Sequence, residues 1–406
     1  MTPIYLNRHK LCGSKSLFSL LSVVAVAFLS FLITGCDPSQ AITVESRTFL
    51  NLSLNFLGEY QLAKTSFQNT PVGGLSALTY DRQRDRFYAL SDDRSALAPA
   101  RFYTLKLSLN SSTTEKPSLE KVEIEDVTFL KNEDGKTFPK GTIDPEGIAL
   151  SPKGTVFISS EGNRNLGTAP FIREFDLKTG QQLRSLPIPE RYLPNDNSKA
   201  DQLPRGIQNN LGFESLTAEP GSSLAAVTGD PFRLFTATES ALVQDNLPDT
   251  SIQSPRIRLM HYLIGNIARP MVVTEHLYLL DPAPNGAIRH GLTDLVTVDT
   301  GGHFLSLERS YGLLGGSAKI YQIATSAATD TSGIATLKGD VSRIDSIKKK
   351  LLLDLSELGI YLDNLEGMTF GPRLADGSQS LLLVSDNNFN DIQLNQFLLF
   401  KLNGLH

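Results

Sequence analysis

Pro145-Glu146-Gly147-Ile148-Ala149-Leu150 leads through a Ser151-Pro152-Lys153-Gly154 turn into Val156-Phe157-Ile158-Ser159-Ser160-Glu161-Gly162-Asn163, and this stretch decides the fold. Two short apolar runs rich in β-branched and aromatic residues flank a Pro- and Gly-containing turn, which predicts a β-hairpin. A carboxylate starts the first run and another ends the second. The pattern recurs at Gly74–Tyr80 with Phe87–Asp93, at Phe213–Ala218 with Leu234–Ser240, at Gly291–Val296 with Phe304–Arg309, and at Leu365–Phe370 with Leu382–Asn387. With Leu75, Glu146, Glu214, Thr293 and Glu366 taken as equivalents, the steps are 71, 68, 79 and 73 residues.

Each hairpin is followed by further alternating runs, such as Arg173–Leu177 with Gln182–Leu186 and Arg258–Leu263 with Val272–Leu280. Each repeat therefore reads as a four-stranded antiparallel sheet. Repeats of this kind around an axis make an all-β protein, a β-propeller. Five copies predict five blades; six, with one degenerate blade, is the alternative. The terminal run Phe397–Leu402 is only the third strand of the last repeat. The N-terminal run Leu50–Leu57 is expected to supply the fourth, which closes the ring and hides its edges. Ser342–Leu358 is expected to hold a short helix, and 110–141 and 191–210 to be mostly loop.

The first residues are a targeting segment. Arg8, Lys10 and Lys15 precede an apolar run from Leu17 to Ile33, which ends in Ile33-Thr34-Gly35-Cys36. That ending resembles the lipobox of bacterial lipoproteins, which implies lipidation at Cys36 and cleavage before it. The expected organisation is a signal peptide at 1–35, a linker at 36–48, and a propeller at 49–406. The expected location is the cell envelope, on the periplasmic side, with contact to the membrane through the lipid anchor only. Cys12 leaves with the leader, so no disulfide or Cys-based metal site remains. Of 38 Lys and Arg, removal of the leader's three leaves 35 against 43 Asp and Glu. A mildly acidic chain without Trp lacks both the cations that neutralise nucleic-acid phosphates and the best stacking side chain, so nucleic acid is not an expected partner.

In a hairpin the start of the first strand and the end of the second lie at the same end. Glu146 and Glu161, Glu214 and Glu239, and Glu366 and Asp386 are placed so, while Asp92, Asp93 and Glu308 end the second strands of repeats one and four. If these hairpins are the inner strands, the carboxylates converge on one mouth of the channel. Gathered like charges need cations or protons. Arg94, Arg164 and Arg309 lie beside the clusters, and Ca²⁺ suits the all-oxygen donor set. The other outcome is structural: carboxylates that accept backbone N–H bonds and stitch blades together.

The Glu-Gly-hydrophobic motifs at Glu146 and Glu366, the related Glu214-Ser215-Leu216, Ser91-Asp92-Asp93-Arg94 and Ser385-Asp386-Asn387-Asn388 resemble the phytase-like family, described as esterase-like activity of phytase. The similarity runs from about residue 73 to residue 402. It implies a propeller and hydrolysis of an ester or phosphoester. The related β-propeller phytases have six blades and Ca²⁺-bearing acidic mouths, whereas five repeats are counted here. No Gly-x-Ser-x-Gly elbow, Walker loop or His-Glu-x-x-His motif occurs, and the histidines lack ligand spacing. Hydrolysis would therefore depend on carboxylates, with a metal-activated water. In this reading Glu146, Glu214 and Glu366 are catalytic, and Asp92, Asp93, Glu161, Glu239, Glu308 and Asp386 hold the cation. Arg94, Arg164 and Arg309 bind a small anionic ester or phosphoester. The alternative is a non-catalytic propeller that binds a protein or glycan in the envelope.

Overall fold

The computed structural model describes residues 48–110, 117–195, 203–219, 230–247, 254–265, 268–312 and 315–405. The leader, Cys36 and nearly all of the linker lie outside them. Phe49–His406 is one compact unit. Among the described residues no helix is long and apolar enough to cross a membrane.

The unit is a five-bladed β-propeller of four-stranded antiparallel sheets. Blade one is β4 (Leu75–Asp81), β5 (Arg86–Ser91), β6 (Arg101–Asn110) and β7 (Ser118–Phe129). Blade two is β8 (Pro145–Leu150), β9 (Thr155–Ser160), β10 (Phe171–Asp176) and β11 (Gln182–Ser185). Blade three is β12 (Phe213–Ala218), β13 (Phe232–Thr238), β14 (Arg256–Ile264) and β15 (Met271–Leu279). Blade four is β16 (Ala287–Thr297), β17 (His303–Gly312), β18 (Gly315–Ala324) and β19 (Lys348–Asp354). Blade five is β20 (Asn364–Arg373), β21 (Gln379–Asp386), β22 (Asn395–Asn403) and, from the other end of the chain, β1 (Ser53–Leu62). A small hairpin, β2 (Thr65–Phe67) and β3 (Thr70–Val72), links β1 to blade one.

The core is not a single centre but five layers, each between adjacent blades. In the second strand of every blade successive side chains go to different layers. Phe157 packs with Leu234 and Met260 of blade three, and its neighbour Ile158 packs with Tyr88 and Phe102 of blade one. Phe304 joins Phe235 of blade three, and Leu305 joins Leu381 and Phe400 of blade five. Both faces of these strands are buried, which is why they read as unbroken apolar runs. The innermost strands β4, β8, β12, β16 and β20 lie side by side around the channel.

The chain ends meet as expected, from Ser53↔Asn403 to Leu62↔Asn395, with a bulge at Leu57. Two expectations need correction. Ser342–Leu358 is not a helix: its core is β19, paired to β18, followed by one 3₁₀ turn at Leu355–Leu358 that stops at left-handed Gly359. The stretch 110–141 contains β7, a strand twelve residues long. Two register shifts against β6 leave Glu120 and Glu125 as extra residues, so burial falls on Leu119, Val122 and Val127 and the period of two is lost.

The outer edge of blade three is covered. A segment following β18 runs along β15, where Thr331 N–H donates to Glu275 O (2.7 Å) and Ile347 N–H to Leu277 O (2.9 Å). Beneath it the fully buried Arg258 pairs with Asp245 (2.7 Å) and Glu275 (3.3 Å). An uncovered edge would be a template for aggregation.

Removal of Ser53–Leu62 would expose the ladder edge of β22 and the layer containing Phe400. The expected loss is several kcal/mol out of a total of about 5–15 kcal/mol for an ordinary domain. The shortened protein should aggregate or melt far below the parent in a thermal scan; an unchanged melting temperature would refute the closure.

Candidate active site at the acidic mouth

In all five inner strands the ladder slips by one residue near its start. The shifts lie between Leu75 and Ala77, Pro145 and Ile148, Phe213 and Ser215, Leu292 and Asp294, and Leu365 and Gly367. A bulge leaves its extra residue out of the ladder and re-aims its side chain. The residues at that point are Ser76, Glu146, Glu214, Thr293 and Glu366. The equivalent of the three glutamates in blade one is therefore Ser76, not Leu75, and blades one and four carry hydroxyls there.

The same register sets a second ring. Ser91, Ser160, Thr238, Glu308 and Ser385 pair with equivalent positions of the first strands. The next residues are Asp92, Glu161, Glu239, Arg309 and Asp386. Blade four thus contributes Arg309 to the ring, and Glu308 is one residue short of it. A shift of one residue turns a side chain to the opposite face. Glu308 accordingly accepts from Tyr278 Oη and Lys349 Nζ, both at 2.5 Å, in a separate polar cluster.

Two residues before each bulge stand Gly74, Asp144, Gly212, Gly291 and Asn364. Gly74 and Gly291 make room for carboxylates, and Gly212 for the backbone of Glu161. A Cβ on Gly291 would lie 2.3 Å from Glu239 Cγ, and one on Gly74, at φ +60°, would lie 2.0 Å from Asp92 Oδ1. Asp144 and Asn364 instead add polar groups. Asn364 donates to Glu366 Oε1 (2.9 Å), and Asp144 receives Nε–H of Arg94 (2.6 Å).

The mouth therefore gathers the carboxyls of Asp92, Asp144, Glu146, Glu161, Glu214, Glu239, Glu366 and Asp386. Two guanidinium groups engage them. Buried Arg309 binds Glu366 (2.6 Å) and approaches Glu239 (3.7 Å), while half-exposed Arg94 holds Asp144 and Asn210. Burial pushes the carboxyls of Glu146, Glu161, Glu214 and Asp386 well above their ordinary range, and adjacent carboxylates push them further. Burial also raises Glu239 and Glu366 against the pull of Arg309, and Asp144 against that of Arg94. Asp92 is pushed up to about 8, first by burial and then by Glu366 and Asp144.

The donor set fits a hard cation. One oxygen from each of Asp144, Glu146 and Glu161 lie within 4.8 Å of one another, as do those of Glu146, Glu214 and Glu366 and of Glu161, Glu214 and Glu239. Oxygens around one Ca²⁺ at about 2.3–2.6 Å have such separations. Ser76 Oγ, Asp92 Oδ1, Glu161 Oε2 and Glu239 Oε1 are buried without a hydrogen-bond partner. Such atoms cost free energy unless something satisfies them. The carboxylates do some stitching too: Glu161 Oε1 accepts from Gly212 N–H of the next blade (2.7 Å).

Of the expected residues, Asp93 faces away from the ring. It takes Arg101 (2.8 Å) and the N–H groups of Ala96 and Ala98, and holds its own loop. Arg164 donates to the carbonyl of Arg205 (2.6 Å). Asp144 escaped the sequence reading, although it sits two residues before Glu146 just as Asn364 precedes Glu366. Below the ring, buried Asp294 takes the N–H groups of Leu295 (2.8 Å), Met368 (2.6 Å) and Leu216, which ties its own strand to the two inner strands beside it.

Residues 70–389 match the model of a family named phytase-like, described as esterase-like activity of phytase. No curated protein matches the chain. Among solved structures it is similar to an endo-arabinase from Bacteroides thetaiotaomicron, at 10% identity over 80% of this chain and 93% of that one, with a TM-score of 0.39. It is also similar to the catalytic domain of an α-L-arabinofuranosidase from Coprinopsis cinerea (10%, 87% and 97%, TM-score 0.32). The Nup133 β-propeller domain of Vanderwaltozyma polyspora is a third (10%, 86% and 97%, TM-score 0.29).

The raised carboxyls make a prediction about pH. Each holds its proton more tightly folded than unfolded, so stability falls as pH rises from the unfolded value, about 4, through the folded one. For Asp92 that window ends at about 8. With divalent cations chelated, the melting temperature should fall steadily from pH 4.5 to 8, and Asp92→Asn should flatten the upper part of the slope. A melting temperature that rises across this range would contradict the protonated ring.

Proposed function

Because the chain belongs to the phytase-like family, we propose that it is a cation-dependent hydrolase of an ester or phosphoester, acting at the acidic mouth. The observation that carries this reading is the set of interlocking carboxylate triplets, with buried oxygens that lack partners. Asp144, Glu146, Glu161, Glu214 and Glu239 hold the cation, with Asp92, Glu366 and Asp386 around them. Bound Ca²⁺ would neutralise the carboxylates and supply a Lewis acid for a carbonyl or phosphoryl oxygen.

The remaining chemistry falls to side chains. Burial first, and neighbouring carboxylates next, raise the proton affinity of Glu146 and Glu214, and whichever of them the cation leaves free suits a general base or acid. Glu366 is oriented by Asn364 and Arg309. Arg94 has access to solvent, its side chain 41% exposed, and it binds the anionic group of the substrate.

The alternative is a binding module for a protein or glycan. It draws support from the depth of Glu146, Glu214 and Glu366, each under 9% exposed, and from the ion pair between Arg309 and Glu366.

Chelation should lower the melting temperature and Ca²⁺ should restore it, by mass action worth about 2.7 kcal/mol at a hundredfold excess over Kd. Glu146→Gln, Glu214→Gln and Glu366→Gln should each weaken the Ca²⁺ effect and abolish hydrolysis in a screen of carboxylesters and phosphoesters. If wild type ignores both chelator and Ca²⁺, and the variants melt no lower, the carboxylates only stitch blades and the binding module is the better reading.

The leader supports attachment to a membrane through lipid on Cys36, with the propeller in the cell envelope. Cys36→Ser should yield a full-length precursor that takes up no labelled fatty acid. Equal labelling of wild type and variant would exclude lipidation at this cysteine.

A further inference from the structure

The channel has a second mouth, at the turn ends of the inner strands. A cavity of about 460 Å³ opens there, and its inner level is set by Leu78, Ile148, Leu216, Leu295 and Met368. Asp294 takes three N–H groups at that level.

The walls of this cavity are backbone edges. In β12, Glu219 N–H donates outward to Arg233 O, so alternation turns the edges of Leu216 and Ala218 to the channel. In β8, Ser151 N–H donates outward to Thr155 O, which turns Ala149 toward its own sheet and Ile148 and Leu150 to the channel. In β16, Val298 N–H donates outward to His303 O, which leaves Leu295 and Thr297 facing in. By the same register Tyr80 of β4 and Phe370 of β20 face in. A channel-facing residue of an antiparallel strand presents N–H and C=O together, so the wall offers interleaved donors and acceptors.

The protein already satisfies two of these N–H groups with alcohols. Leu150 N–H donates to Thr79 Oγ1 (3.1 Å), and Thr297 N–H donates to Thr217 Oγ1 (3.2 Å). At the same level Tyr80, Ala218 and Phe370 have no such partner among the described residues. The acidic lining groups are neutralised internally, Asp81 by Arg84 (2.6 Å) and Glu219 by Arg233 (2.5 Å). The side chains of Leu78, Ile148, Leu216, Leu295 and Met368 are buried in the interblade layers, so at this level too the wall is backbone.

Interleaved donors and acceptors, hydroxyls and neutralised acids match a small neutral molecule with many hydroxyls. We propose that the mouth opposite the acid ring is a carbohydrate-binding site of monosaccharide size, with ligand hydroxyls on the backbone edges of Tyr80, Ala218 and Phe370. It is independent of hydrolysis at the other mouth.

The test uses the full chain in chelator, with glucose, arabinose and myo-inositol as probes in calorimetric titrations. At least one should bind. Ala218→Leu, which crowds the layer between blades two and three behind this edge and displaces it, should weaken that binding roughly tenfold or more, the equivalent of at least one hydrogen bond. Glu146→Gln, at the acid ring, should leave it unchanged. A second measurement does not depend on the variant's folding. In ¹⁵N-alanine-labelled wild type, the Ala218 amide should shift on addition of sugar, while the Ala149 amide, bonded within its sheet, should not. No binding by any probe overturns the proposal, as do unchanged affinity in Ala218→Leu, loss in Glu146→Gln, or a response to inorganic phosphate alone.

Discussion

The ladder between β1 and β22 is the constraint on which the rest depends. Every blade buries both faces against neighbours, so none has a core of its own. The layer between blades four and five and the layer between blades five and one each include residues of β22, such as Phe400 and Phe397. If the ring opens, both layers lose a wall. Closure by strands from the two chain ends converts a linear array of sheets into one cooperative unit.

Closure also makes the acid ring tolerable. Eight carboxyls packed at one mouth repel, and burial raises their proton affinity further. Five interblade layers supply the stabilisation that offsets this cost. The strain is concentrated where the inner strands bulge, and functional sites commonly hold such unfavourable arrangements. Blade four departs from all the others at two places: Arg309 replaces the ring carboxylate, and Asp294 stands where the other blades have Ala77, Gly147, Ser215 and Gly367. With blade one it shares a hydroxyl, Thr293, in place of the glutamate. Arg309 acts as an internal cation for the sector near Glu366 and Glu239. The sector around Asp144, Glu146 and Glu161 keeps only half-exposed Arg94, and there an added cation would have the most effect.

The two mouths differ for a physical reason. At the acid end the bulges turn side chains toward the channel, and chemistry follows from residue type. At the other end four of the five ladders are regular, β20 alone shifting register between Phe370 and Arg373, and the channel meets backbone edges. One end is therefore charged and specific to its blades, and the other is neutral.

Much of this was legible from residues alone. Strand identity, blade number, closure by the N-terminal run and the mouth that gathers Glu146, Glu161, Glu214, Glu239, Glu366 and Asp386 follow from runs of apolar residues and from acids at hairpin ends. These signals are local and repeat five times. The helix expected at 342–358 and the loop expected at 110–141 failed because outer strands carry bulges and few buried residues, so their period is weak. The assignment of ring positions needed the tertiary structure. A bulge of one residue decides whether Leu75 or Ser76 is equivalent to Glu146, and whether Glu308 or Arg309 faces the mouth. Sequence spacing cannot resolve a shift of one, because both neighbours are plausible by type. Likewise Asp93 and Asp92 are adjacent acids, and only the position of Arg101 shows that Asp93 turns away. Residue chemistry determined which groups this protein can bring to a mouth; the hydrogen-bond register, set by pairing across blades far apart in the chain, decided which of them meet.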